Sequence, residues 1–373
     1  MPPYVHLSPS RTLTLHWPAT GPQGLPSDGL SSFASGRQAL FALATHLCPP
    51  ERTGQVLLPV WVPEGVYLPF VRAGWRIIFY ELDALANPDW RQLETLFAQY
   101  TFDLAVLIHY FGQSRDHLRM AELAKGHCPI LEDWAHTYPN PYWRTPNKGN
   151  WALFSPTKLV GITDGAWLIG PNGISNSNKK GSWQKRYTYV FWQLLYLLAS
   201  TFLQLRVPGN RIWKRISGGS YARGYQLLVE LTNQAASISP LGAWLLRHTN
   251  HQKVVDNRIE QAIQYSEGLR NPHFQQLGKV GKEPFPWVGF LILVDDVKAF
   301  IAHLAQHNIR GQQFTDRWWF YEEVSLYPTA RKLWQRHFLL PLHQNFSAED
   351  IAYIIQVSNA YRKDDNSAGT TTL

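Results

Sequence analysis

"VLLPVWVPEGVYLPFVRAGWRIIFYELD", Val56 to Asp83, reads as strand, helix and strand in succession. Val56 to Val60 is an unbroken apolar run of strand length, and Trp75 to Leu82 is another. Between them Glu64 to Ala73 reads as a helix closed by Gly74, a residue free to adopt the left-handed turn that ends helices. Strands with no polar alternation are buried on both faces. That is the signature of a parallel sheet covered by helices, not of an antiparallel sheet with one wet side.

The same alternation extends outward. Arg37 to Leu47 has helical apolar spacing and stops before Pro49-Pro50. Asp89 to Tyr100 is an amphipathic helix, Leu104 to Phe111 a continuous apolar strand, and His117 to Gly126 a helix with a terminal glycine. Cys128 to Asp133 and Trp151 to Phe154 read as strands. The expected class is α/β with a mostly parallel central sheet. From about Asn250 the texture changes to a long helix (His251 to Leu269), the strand-like "FPWVGFLILVDD", a helix from Val297 and a last helix after Ser347. The expected organisation is an irregular arm over 1–30, a large domain over 31–249, a smaller C-terminal α+β domain over 250–363 and a tail over 364–373.

Of the 373 residues 45% are hydrophobic and 17% charged, which suits a globular chain with a real core and excludes a disordered one. Two cysteines, Cys48 and Cys128, make neither a disulfide framework nor a zinc spacing, so no metal is expected. The start of the chain lacks a basic segment followed by an apolar core. A reduced, cytoplasmic compartment is therefore expected. The net charge of +8 calls for anionic partners, yet no zinc-finger or aromatic RNA-binding signature points to nucleic acid. The 16 tryptophans, among them Trp318 and Trp319, read as core or interface residues.

One segment stands apart. Tyr189 to Leu205 is apolar but for Gln193 and Gln204, and basic residues flank it: Lys179, Lys180, Lys185 and Arg186 before, Arg206, Arg211, Lys214 and Arg215 after. It is short for a membrane span. It reads as a buried or interface helix, with peripheral contact to an anionic membrane surface as the other reading.

Ligands of open α/β sheets collect beyond the carboxyl ends of the strands. There the chain sets Trp61 to Pro63, then His109, then Asp133 and His136, then Ser155 and Lys158, with Ser35-Gly36-Arg37 opening a helix whose first amides face outward. A carboxylate, a lysine and a helix start with a serine can serve one ligand together, as pyridoxal phosphate requires: donors for its phosphate, a carboxylate for its ring nitrogen, an amine for its aldehyde. Many other α/β enzymes also gather polar groups at this place.

These residues also carry a resemblance. "FASGRQALFAL", the Val56 to Asp83 stretch, "HYFG", "ILEDWAHTY", "FSPTKLVGITDGAWLI" and "LPLHQNFSAEDI" occur in the order found in the DegT/DnrJ/StrS sugar aminotransferases. Those are pyridoxal-phosphate enzymes of the aspartate aminotransferase fold. The likeness is good from Phe33 to Gly170, loose in the C-terminal domain and poor over 171–280. It implies that Lys158 is the lysine that bonds the cofactor and shuttles the proton, and that Asp133 pairs with the ring nitrogen. It further implies that His136 lies beside the ring hydroxyl, and that Ser155, Gly36 and Arg37 hold the phosphate. The same likeness implies homodimers, glutamate as amino donor and a keto sugar, nucleotide-linked, as acceptor.

Departures are visible too. Arg37 stands where the family has threonine. The aromatic that covers the ring aligns near Pro63, which makes Trp61 the expected stacking residue. Ile162-Thr163-Asp164-Gly165 replaces a Gly-Glu-Gly-Gly, and the asparagine segment that enters the neighbouring subunit's site is not recognisable between Gly218 and Gln234. His109 reads as a packing or substrate-side residue and His343 as one that orders the small domain. Two alternatives stay open: a fold member turned binding or scaffolding protein, and a pyridoxal-phosphate enzyme of different outcome, such as a dehydratase. Lys158 argues against the latter, since the family's dehydratases tend to carry histidine there.

Overall fold

The structure is a computed structural model and describes residues 11–362 except 20, 23, 50, 147–148, 175–182, 206–207, 279, 282–283 and 315–325. The tail over 364–373, the first ten residues of the arm, Lys179, Lys180, Arg206, Trp318 and Trp319 lie outside the described residues.

In chain order the elements are β1 (Leu30–Phe33), α1 (Gly36–Leu47), β2 (Gln55–Pro59), α2 (Glu64–Arg72), β3 (Arg76–Tyr80), α3 (Trp90–Gln99), β4 (Leu104–Ile108), α4 (His117–Ala124), β5 (Ile130–Asp133), β6 (Trp151–Phe154) and β7 (Ala166–Ile169). Then come α5 (Trp183–Gln204), α6 (Asn210–Glu230), α7 (Pro240–Arg247), α8 (His251–Gly268), β8 (Phe274–Gln276), β9 (Gly289–Val294), α9 (Val297–Gln306), α10 (Pro328–Arg336), β10 (His337–Pro341) and α11 (Ala348–Ala360).

The seven-stranded sheet has the order β1-β7-β6-β5-β4-β2-β3. β3, β2, β4, β5 and β6 run parallel, while β7 pairs antiparallel with β6 on one side and with the edge strand β1 on the other. β4, β5 and β6 are buried at every position, which is why their sequences carry no alternation. β8, β9 and β10 form a second, antiparallel sheet. It packs with α8, α9 and α11 into an apolar cluster of its own around Phe290, Phe300 and Phe338.

The expected strand from Leu104 to Phe111 is shorter than its apolar run. It ends at Ile108, and Tyr110 to Gly112 make a single tight turn in which Phe111 (φ 57) and Gly112 (φ 98) take left-handed conformations. A Cβ on Gly112 would lie 2.8 Å from the His136 carbonyl oxygen and 2.9 Å from Trp287 Cα, so only glycine lets these segments meet. The apolar Tyr189–Leu205 segment lies within α5, which pairs with α6 as a helical hairpin. No helix among the described residues is long and apolar enough to cross a membrane.

Candidate active site

β5 ends at Asp133, and the β6 end places Ser155 and, one tight turn later, Lys158 beside it. The start of α1, capped by Ser35, whose side chain accepts from the Gln38 amide, faces the same space. Gly36, Arg37, Asp133, His136, Ser155 and Lys158 all line one cavity of about 610 Å³. Six of the seven expected site residues thus meet at the carboxyl edge of the parallel strands.

Trp61, the expected stacking residue, does not line this cavity. Its indole is buried in the main core, stacked on Tyr110 at 4.8 Å and edge-on to Phe111 and His337. That aromatic stack behind the cavity holds the ring in place. Pro63, two residues on, lines the cavity instead.

Asp133 is buried, and its Oδ1 accepts from the Ala135 amide at 2.9 Å. Desolvation pushes the carboxyl up to about 6, against the pull of that amide and of the Lys158 charge. His136 stacks face to face on Phe111 with ring centroids 5.2 Å apart, and burial, aided by Lys158, lowers its pKa so that the neutral imidazole prevails. The Lys158 side chain is solvent-exposed through the cavity. Desolvation thus falls on the acid at Asp133.

Two features test whether a phosphorylated pyridine fits. A Cβ added to Gly36 would meet nothing closer than Leu153 Cδ2 at 3.8 Å, so no protein packing demands glycine and the amide edge of α1 stays open to the cavity. Asp133 is a buried acid with a single described hydrogen bond to its side chain, suited to a cationic ring nitrogen. The residues fit the group.

Arg37 has a fixed set of partners. Its Nη2 donates to Tyr225 Oη at 2.6 Å and lies 3.5 Å from Glu64 Oε2, and Tyr225 in turn donates to that carboxylate at 2.6 Å. The arginine therefore ties α1 and α2 to α6 across the cavity, with part of its charge met by Glu64. The Thr163-Asp164 turn is likewise structural: Asp164 accepts from the Ser239 amide at 2.7 Å, from Ser239 Oγ and from Thr163 Oγ1 at 2.9 Å, which pins it to the start of α7.

His109 and His343 are fully buried and outside the cavity lining. His109 stacks on Trp134 at 3.3 Å and accepts the Arg115 amide on Nδ1 at 2.9 Å, and is a packing residue. His343 takes the Asn345 amide on Nδ1 at 3.2 Å. Close by, Arg258 is buried and donates to the carbonyls of Trp287 at 3.0 Å and Leu159 at 3.3 Å, and to Gln344 Oε1 at 3.3 Å. Burial lowers its pKa to about 9, which leaves it a cation clamped between the small sheet and the residue after Lys158.

The far wall comes from the apolar Tyr189–Leu205 segment and its neighbours, which the sequence marks as a helix but not as part of the site. Arg11, in the arm, donates to Gln193 Oε1 at 3.0 Å and lines the cavity. Tyr189, Gln193, Tyr196 and Ser200 project into it from α5, and Tyr221 and Tyr225 from α6. Their spacing on α5 is 4, 3 and 4 residues, a polar helical stripe legible inside an apolar segment.

Compared by sequence, the chain matches no protein-family model and no curated protein. Compared by structure, it is similar to the sugar aminotransferase CalS13 from Micromonospora echinospora (15% identity, 88% of this chain and 86% of that one, TM-score 0.58). It is similar to Spr1654 from Streptococcus pneumoniae in its PLP form (13% identity, 88% and 86%, TM-score 0.59). A DegT DnrJ EryC1 StrS aminotransferase from Brucella abortus matches at 15% identity over 88% and 84%, with TM-score 0.57. The chain has the fold of the DegT/DnrJ/EryC1/StrS sugar aminotransferases.

Proposed function

We propose that this protein is a pyridoxal-phosphate-dependent aminotransferase that moves an amino group, from glutamate as donor, onto a keto sugar bearing phosphate, as nucleotide-linked sugars do. The observation that carries it is the meeting of Asp133, His136, Lys158 and the open α1 start in one cavity. When bound, the cofactor supplies a carbonyl that takes up the amino group and a ring that accepts electrons from a broken C–H bond. Gly36, Arg37 and Ser155 hold the phosphate with amides, charge and hydroxyl. The Asp133 carboxylate keeps a proton at the ring nitrogen, where its burial makes a cationic partner favourable. Lys158 is the amine that would hold the cofactor's aldehyde and carry the proton, and its exposure to the cavity lets the amine reach a ligand. Pro63 and Ala135 supply apolar surface to the same cavity. The cytoplasm is the compartment that suits this chemistry, and the family likeness implies a homodimer.

Purification with pyridoxal phosphate, a visible spectrum and borohydride reduction followed by peptide mass analysis test this. The expected result is a visible band in the wild type, cofactor mass on the Lys158 peptide, and neither in Lys158→Ala. A wild type that takes up no cofactor, or a variant with an unchanged band, overturns the reading.

A further inference from the structure

α5 is amphipathic in the reverse sense. Tyr189, Gln193, Tyr196 and Ser200 face the cavity, while Trp183, Tyr187 and Phe191, at 66, 63 and 55% exposure, stand on the opposite side. Half-buried Leu194, Leu198 and Phe202 continue that outer stripe to Leu205 and, across the turn, Ile212, which are 68 and 62% exposed. A helix in water turns its apolar stripe to the core. Here a polar ligand chamber is on the inside, and the apolar stripe needs a dry partner elsewhere.

Charge selects the partner. From Gly165 to Val229 the chain has no Asp or Glu, and exposed Arg211, Lys214 and Arg215 continue the stripe at the start of α6. The acid that ends α6, Glu230, is already paired with Lys185 at 2.7 Å, so a second copy docked on this face would set Arg211, Lys214 and Arg215 against their own equivalents with no unpaired acid of the hairpin to offset them. An anionic leaflet takes both features: aromatics and leucines enter the headgroup boundary, and the cations meet lipid phosphate. Lys214 and Gly218 are exposed and also line the cavity, so the chamber reaches solvent along the α6 side of the hairpin.

We propose that the α5–α6 hairpin docks on an anionic membrane surface and that the cavity beneath it receives a sugar carried on a lipid phosphate. The docking stands on the hairpin alone; the substrate class rests on the aminotransferase reading above. Arg11, Lys214 and Arg310 supply cationic groups along the cavity for the carrier's phosphates.

Flotation of the full chain with phosphatidylglycerol vesicles, against phosphatidylcholine vesicles, tests the docking. Binding to the anionic vesicles that weakens with salt is expected, with at least about a tenfold loss of partition in the triple variant Trp183→Ser, Tyr187→Ser, Phe191→Ser. No binding to either vesicle, or a triple variant that changes from dimer to monomer in sedimentation while the wild type ignores lipid, overturns it. The visible cofactor band is recorded on the same samples. A missing band sinks the aminotransferase reading and leaves docking standing; an intact band without vesicle binding does the reverse. For the substrate class, farnesyl pyrophosphate is expected to raise the unfolding midpoint more than uridine diphosphate does. The opposite order assigns the cavity to a nucleotide carrier and ends the lipid proposal.

Discussion

On the sheet side of the cavity, Asp133, Ser155 and Lys158 sit at strand ends, where polar groups surface from an apolar core. On the hairpin side, Tyr189, Gln193 and Ser200 face inward while Trp183, Tyr187 and Phe191 face out. The sheet side is set by ladder hydrogen bonds that leave its side chains no choice of direction. The hairpin side is held by side-chain bridges: Arg37 with Glu64 and Tyr225, and Arg11 with Gln193. The comparison teaches that the floor is positioned by backbone pairing and the roof by side-chain bridges, so the two walls of one cavity are open to change by different kinds of substitution.

Lys158→Ala breaks the comparison at its strongest point. Transamination is expected to fall by about 10⁴-fold or more, measured with a keto-sugar phosphate and glutamate, while the thermal midpoint stays near that of the cofactor-free wild type. A roof variant with an equal loss would show that the two sides do not divide the work as described.

Acid is expected to unsettle the buried framework next. Burial lowers His109 and His337 to about 4 and His343 to about 3. The unfolded chain takes up protons near the ordinary value of 6.5 and the folded chain does not, so this stability is complete above that value and is lost as pH falls. Each of the three fully buried rings costs about 2 kcal/mol by pH 5, and unfolding midpoints between pH 7.5 and 5 measure the total. A flat profile would mean that these rings are not buried as neutral groups.

Asp133 acts with the opposite sign. Its folded pKa of about 6 lies above the ordinary 3.8, so the folded state keeps a proton that the unfolded chain releases, and stability falls as pH rises through that window. Asp133→Asn is therefore expected to stabilise the cofactor-free chain at pH 8 by up to about 3 kcal/mol while lowering activity. Denaturant titration and rate assays on the same variant decide this, and a destabilised Asn variant would assign the acid a structural role.

The smallest effect is expected in the roof. Tyr225→Phe removes the hydroxyl shared by Arg37 and Glu64, and about 1 kcal/mol of stability goes with it, read from the denaturation midpoint. An unchanged midpoint would show that the Arg37–Glu64 pair holds α1 and α2 together unaided.

The floor is legible in the sequence because parallel strands buried on both faces write themselves as apolar runs, and the residues just beyond each run take site positions. Asp133, His136, Ser155 and Lys158 all stand at such places. Trp61 does too, yet a sequence alone does not say which side of a turn a ring takes, and here Tyr110, Phe111 and His337 compete for it. The roof is hidden for another reason. α5 reads as an apolar segment broken at Gln193 and Gln204, because the tyrosines and serine of its inward stripe are diluted by leucines that face outward. Arg11 gives no signal at all, since its place depends on a contact 182 residues away in sequence.

Arg258 grips Leu159, the neighbour of Lys158, with the same guanidinium that holds Trp287 and Gln344. The C-terminal unit and the backbone next to Lys158 are thus coupled mechanically. Any hinge motion that closes the second sheet over a ligand must drag the lysine's backbone with it, or first break a buried cation away from its carbonyls. The Lys158 segment and the C-terminal sheet are thereby held as one piece.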